Sequence, residues 1–285
     1  MWAIRHLLQA CEYGKEANCV PLLLFAAKAL WNAAAPVMGD ETNGEQASLA
    51  VKAALYTIPT SYRPAATALI TRMCMGLLWF LPCARKWDEL FRTAEGAMVL
   101  VPKVLHTPLM KLQILALIRT ETPNLFPTVC NLARSEPSSE ADLLLCFARL
   151  AQKTPGLTSM VMDAYEGALT LFEIDKDPHG IVVHLEVAEW LLSMRRPWAK
   201  ASSHIRAALD LLKNAECQQK VSSPKPKEGP NQVLHTLMRC VAMLLQTLKP
   251  ALSCVRGLCS ADYHGTTQGQ TTTLNRIQQL ARPVS

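Results

Sequence analysis

At 285 residues the chain is long enough to bury one large core or two smaller ones. Half of it is hydrophobic but only 6% is aromatic; Leu and Ala carry most of the apolar fraction and few runs are β-branched, which weighs against a β fold. The net charge of +6 is a mild excess with no basic block, so the concentrated positive footprint of a nucleic-acid binder is missing.

The opening, MWAIRHLLQACEYGKEANC, carries charges at Arg5 and Glu12 and has no long apolar core, so it does not read as a signal peptide. Trp31, Ala34, Ala35 and Met38 form a helical stripe that either precedes the first repeat copy or lies in the second helix of a leading pair made by residues 3–18 and 20–38. GDETNGEQ (39–46) is a long connection. The most apolar stretch, MCMGLLWFLPCA (73–84), lies between Arg72 and Arg85. Twelve residues of helix rise about 18 Å, short of the ~30 Å hydrocarbon core. CVPLLLFAAKALWNAAAPVMG (19–39) is longer but carries Lys28 and Asn32. Both are expected to be buried core helices, and no membrane span is expected. The ten cysteines include no C-x-x-C and sit mostly in apolar helical context, where a reduced thiol behaves as a small hydrophobe. With no export signal in view, a reducing cytosolic compartment is expected.

Residues 86–102, KWDELFRTAEGAMVLVP, set out a pattern: Leu90, Ala94, Ala97 and a closing Pro102. The offsets recur at Ala47, Val51, Ala54 and Pro59, and at Leu125, Val129, Leu132 and Pro137. They recur without the proline at Val161, Tyr165 and Ala168, and at Ala201, Ile205 and Ala208. The starting positions step by 43, 35, 36 and 40 residues. Each copy follows another apolar stripe at helical spacing: Cys74, Leu77, Leu78 and Leu81; Leu109, Leu112 and Ala116; Leu145 and Ala148; Leu185, Ala188 and Leu192. Two short amphipathic helices per ~34 residues, with small residues where they meet, describe the tetratricopeptide unit. The expectation is an all-α, tetratricopeptide-like solenoid of helical hairpins over residues 1–213. A non-repetitive helical bundle is the competing architecture. Within the pattern, Pro127 is expected to kink its helix or postpone its start. Residues 214–232, rich in Pro, Lys and Ser, read as a flexible linker. Residues 233–258 read as an apolar helix and 259–285 as a polar, disordered tail.

Two stretches, AAKALWNAAAPVMG (26–39) and HLEVAEWLLSMRRPWAKASSHIRAALDLL (184–212), resemble the tetratricopeptide region of a large cilia- and flagella-associated family of the axonemal central-pair apparatus. The closer likeness is the core Leu185, Ala188, Trp190 and Leu191 followed by an Ala-rich helix. The resemblance implies a scaffold in a projection of motile cilia or flagella, cytoskeletal in location, with other axonemal proteins as partners and no catalytic residues. Members of that family are far longer, so the chain reads as a fragment or short form.

No polar constellation competes with this reading. Asp175, Asp177, His179 and His184 are suitable metal ligands by type. Their place in EIDKDPHGIVVH, a turn with Pro178 and Gly180, fits acidic residues at a coming helix N-terminus instead. Cys240 and His235 are more than a helical turn apart on an apolar segment, and no G-x-x-x-x-G-K loop is present. No enzyme activity, cofactor, metal or small-molecule substrate is expected; a helical regulatory or adaptor segment of a larger enzyme complex is the alternative. Tetratricopeptide superhelices line their concave face with the first helix of each pair. The corresponding positions here are Met75 and Trp79, Met110 and Ile114, Cys146 and Leu150, and Glu186 and Trp190. All but Glu186 are uncharged. Met75, Trp79, Met110, Ile114, Leu150 and Trp190 are therefore candidates for gripping an apolar partner helix, whereas a register one residue different would make the stripe ordinary core.

Overall fold

The computed structural model describes residues 1–40, 42–59, 61, 63–194, 198–222 and 242. Among them are eleven α-helices and no strand. The helices are α1 Trp2–Glu16, α2 Val20–Ala34, α3 Gly44–Thr57, α4 Arg63–Cys83, α5 Trp87–Met98 and α6 His106–Arg119. They continue with α7 Leu125–Arg134, α8 Glu140–Ala151, α9 Thr158–Asp175, α10 His179–Ser193 and α11 Trp198–Ser222. Short 3-10 turns at Lys103–Leu105 and Pro137–Ser139 precede α6 and α8. The chain divides into two units, Met1–Leu171 and Phe172–Ser285, so the expected array of 1–213 is split within α9.

The recurring apolar steps mark buried seams. They fall on every second helix from α3 to α11, and fourteen of the fifteen helical positions are buried. Leu132 is half-buried, and the next residue, Ala133, takes the fully buried place in α7. Ala47, Ala54, Ala94, Ala168, Ala201 and Ala208 have no exposed surface. A methyl group there lets two helix backbones approach closely, where a larger side chain would hold them apart. Between them sit the volume-filling residues Val51, Leu90 and Tyr165. Burying a side chain such as Leu90 contributes about 1.5–3 kcal/mol.

In the first unit the helix packings join chain neighbours or next-but-one neighbours. The most extensive are α1 with α2 and α5 with α6; α1 also packs on α3, and α6 on α8. The α1/α2 hairpin is the expected leading pair, whereas α5/α6 packs more extensively than the expected pairs α4/α5 and α6/α7, so the repeat phase is shifted there. In the second unit α10 packs extensively on α11, as the pattern anticipates. Two ion pairs tie α3 to the α5 region: Lys52 Nζ lies 2.7 Å from Glu89 Oε1, and Lys86 pairs with Glu45. All four side chains are partly exposed, so each pair adds little by itself.

Three connections share one device. Asn18, Arg85 and Lys176 adopt φ of 50°, 55° and 53°, in the left-handed region. In each case the next N–H reaches back to the carbonyl five residues earlier: Cys19 to Gly14 at 2.8 Å, Lys86 to Leu81 at 3.0 Å and Asp177 to Phe172 at 2.9 Å. This closure satisfies a carbonyl that the helix end leaves without a partner and reverses the chain within three residues. The turns after α1, α4 and α9 are thus made by Asn, Arg and Lys where glycine is the usual choice.

Two expectations need correction. Pro127 neither delays α7 nor leaves it without a first turn; the helix begins at Leu125 and Pro127 is its third residue. The N–H groups of a first turn have no partner within the helix, so proline forfeits nothing there. The linker expected from residue 214 does not begin there either, because α11 continues to Ser222. NAECQQKVS offers helix formers and no proline until Pro224. Residues 223–232, the expected helix 233–258 and the tail 259–285 lie outside the described residues, Ala242 excepted.

Candidate functional site

The candidate partner-binding residues separate into two groups. Trp79 on α4 is 80% exposed, and Met75 one turn earlier is also exposed. They share a stripe with Ala68, Arg72 and Cys83, opposite the buried stripe of Ala66, Ile70, Met73, Leu77 and Leu81. Leu150, at the end of α8, is exposed as well. Met110 and Ile114 on α6 and Trp190 on α10 are buried, and cannot line an open groove as expected. The cause is the number of neighbours. α6 packs on α5, α7 and α8, and every residue from Leu109 to Ile118 is buried or half-buried, with Met110 and Ile114 on the fully covered side beside Leu109, Gln113 and Leu117. α10 is likewise buried over most of its surface from Ile181 to Leu191, Trp190 included, and keeps only the narrow stripe of Val182, Glu186 and Glu189 half-buried or exposed. Of the other two positions, Cys146 and Glu186 are half-buried. Burial holds the Cys146 thiol above its usual range, which keeps it protonated and unreactive.

α4 is longer than its apolar run suggested. Its 21 residues include AATALIT upstream of the run, giving a mean hydropathy of 1.4 in its most apolar window. By length and composition it could cross a membrane, which corrects the expectation that it is too short; 39% of that window is buried against the rest of the chain. The six-membered ring of Trp31 on α2 abuts Gly76 of α4, where an added Cβ would stand 2.3 Å from the ring's Cη2. Glycine there gives the ring its place.

The polar residues of 175–184 do not converge. Asp177 accepts a hydrogen bond from the His179 backbone N–H at 2.8 Å and so completes the start of α10. Asp175 and His179 are exposed, while His184 points into the α10/α11 contact. Among the described residues no group of three or more His, Cys, Asp or Glu stands close enough to hold a metal ion. Cys240 and His235 lie outside the described residues.

Two buried polar side chains stand out: Gln113, which sequence reasoning missed, and His184, which it raised only as a possible metal ligand. Gln113 is 2% exposed, directs its Nε2 at the Met98 sulfur 4.0 Å away, and leaves its Oε1 buried without a partner among the described residues. His184 is 6% exposed and meets His204 of α11. The available signal was a single polar residue inside an apolar helical run, which by itself does not distinguish burial from a solvent-facing notch.

The described residues form packed α-helices with no strand, and Trp79 and Met75 are among their exposed apolar side chains. No protein-family model matches the chain, and neither a curated protein nor a solved structure does.

Proposed function

We propose that the chain is a non-catalytic protein-interaction scaffold built on degenerate tetratricopeptide-like hairpins, serving the central-pair apparatus of motile cilia or flagella. One observation carries the scaffold reading: a single apolar step pattern recurs every 35 to 43 residues and coincides with the buried seam of every second helix from α3 to α11. A chain built by repeating one packing unit extends surface as it grows, which suits binding to other proteins. The axonemal assignment rests on the resemblance of 26–39 and 184–212 and on nothing else.

The partners are then other axonemal proteins, met through faces such as the Met75/Trp79 stripe of α4. Affinity purification of the tagged full chain from ciliated cells, read by mass spectrometry, tests this. Co-purifying central-apparatus proteins at reproducible stoichiometry are the expected result. A stable one-to-one complex with a catalytic subunit would instead make the chain a regulatory segment of an enzyme and overturn the proposal.

A further inference from the structure

In the second unit, His184 of α10 faces His204 of α11 with Nδ1 to Nδ1 at 3.1 Å and the rings 5.3 Å apart at 41°. Two imidazole nitrogens this close need one hydrogen between them, so one ring carries its proton on Nδ1 and the other presents a lone pair. Two neutral rings satisfy that requirement, as does one neutral ring with one charged ring; two charged rings do not. His184 Nε2 is buried and has no hydrogen-bond partner among the described residues. Protonating His184 would therefore bury a charge and add an N–H donor with nothing to donate to.

The surrounding groups do not compensate that charge. On α11, Lys200, Arg206, Asp210 and Lys213 are exposed; at the end of α9, so are Glu173 and Asp175. On α10 itself His179 and Glu189 are exposed and Glu186 is half-buried. The charge that acts on His184 is that of His204, and it is repulsive. We propose that the His184–His204 contact is a pH-sensitive latch, holding α10 against α11 at neutral pH and releasing the hairpin in acid.

Burial first, and the His204 charge second, push the His184 pKa from 6.5 down to about 4. An opened hairpin binds a proton near pH 6.5 that the closed one refuses until about pH 4. Closure is thus fully favoured above pH 6.5 and weakens as pH falls towards 4, by roughly 30-fold between pH 7.5 and pH 5.

Hydrogen exchange by mass spectrometry on the full chain tests this, with protection corrected for the intrinsic pH dependence. Peptides from α10 and α11 should lose roughly 30-fold of their protection between pH 7.5 and pH 5 relative to α5/α6 peptides. In His184→Leu, which fills the same apolar site without titrating, that loss should vanish. An equal loss in wild type and variant would overturn the proposal. NMR titration of the His184 ring in the wild-type chain asks the same question without a substitution that could fail to fold. Its signals should stay those of a neutral ring down to about pH 5, and a midpoint near 6.5 in the folded chain would refute the latch.

Discussion

Alanine at Gly14 should destabilise the chain or leave it unimproved, whereas alanine at Gly96 should stabilise it. The two glycines are matched by position, each two residues before the end of its helix, α1 and α5 respectively. A Cβ on Gly14 would stand 2.9 Å from the Leu23 backbone nitrogen, 3.0 Å from its Cα and 3.2 Å from its Cβ. The first two are backbone atoms of α2 and the third is fixed to them, so none can swing aside as a side-chain tip can. A Cβ on Gly96 meets nothing within 4 Å. Both substitutions gain about 0.8–1 kcal/mol of helix propensity. At Gly14 that gain is opposed by about 1–3 kcal/mol of overpacking, because carbon contacts prefer 3.5–4.0 Å and the α1/α2 hairpin must open to restore them. The pair should therefore differ by about 1–3 kcal/mol in stability. At roughly 2–4 °C per kcal/mol for a chain of this size, the melting points should separate by several degrees, with Gly96→Ala the higher. Circular dichroism at 222 nm during heating reads this directly. Equal increases in both variants would show that α1 and α2 are not in backbone contact at Gly14, and the packing argument would fail at its tightest point.

Ile114→Ser and Trp79→Ser, two large apolar residues on successive even-numbered helices, should behave oppositely. The first removes a fully buried side chain and should cost about 2–5 kcal/mol, while the second, 80% exposed, should leave the melting point nearly unchanged and reduce self-association in analytical ultracentrifugation. An unfolded Trp79→Ser would place that indole in the core. Lys176→Gly should raise stability by about 0.5–1 kcal/mol in denaturant titration, because a φ of 53° strains a side chain that glycine lacks; a loss of stability would mean that the α9 turn is held by the lysine side chain.

How far these features were readable depends on what each one requires. The helices and their buried seams were legible because a helix fixes which residues share a face: Leu90, Ala94 and Ala97 lie in line whatever packs on them. The number of faces that find a neighbour is a tertiary property. Met75 and Trp79 occupy the same expected positions as Met110 and Ile114, yet α4 leaves that side open and α6 buries it against flanking helices. The pairing phase was hidden for a similar reason, since α5 and α6 are joined through Pro102 and a 3-10 turn that read as a break between repeats. Turns closed by Arg85 and Lys176 carry no local signal, because neither residue favours the left-handed region and the back-bonded carbonyls alone hold it there. The His184–His204 contact joins residues on two different helices, a juxtaposition that periodicity within one helix does not reveal.

The scaffold proposal is tested most directly by proximity labelling with the full chain expressed in ciliated cells, beside the Trp79→Ser variant. The expected result is labelling of central-apparatus proteins by the wild-type chain, weakened in the variant while its helical signal is unchanged. Labelling dominated by a catalytic subunit, or by no axonemal protein at all in cells with beating cilia, would contradict it.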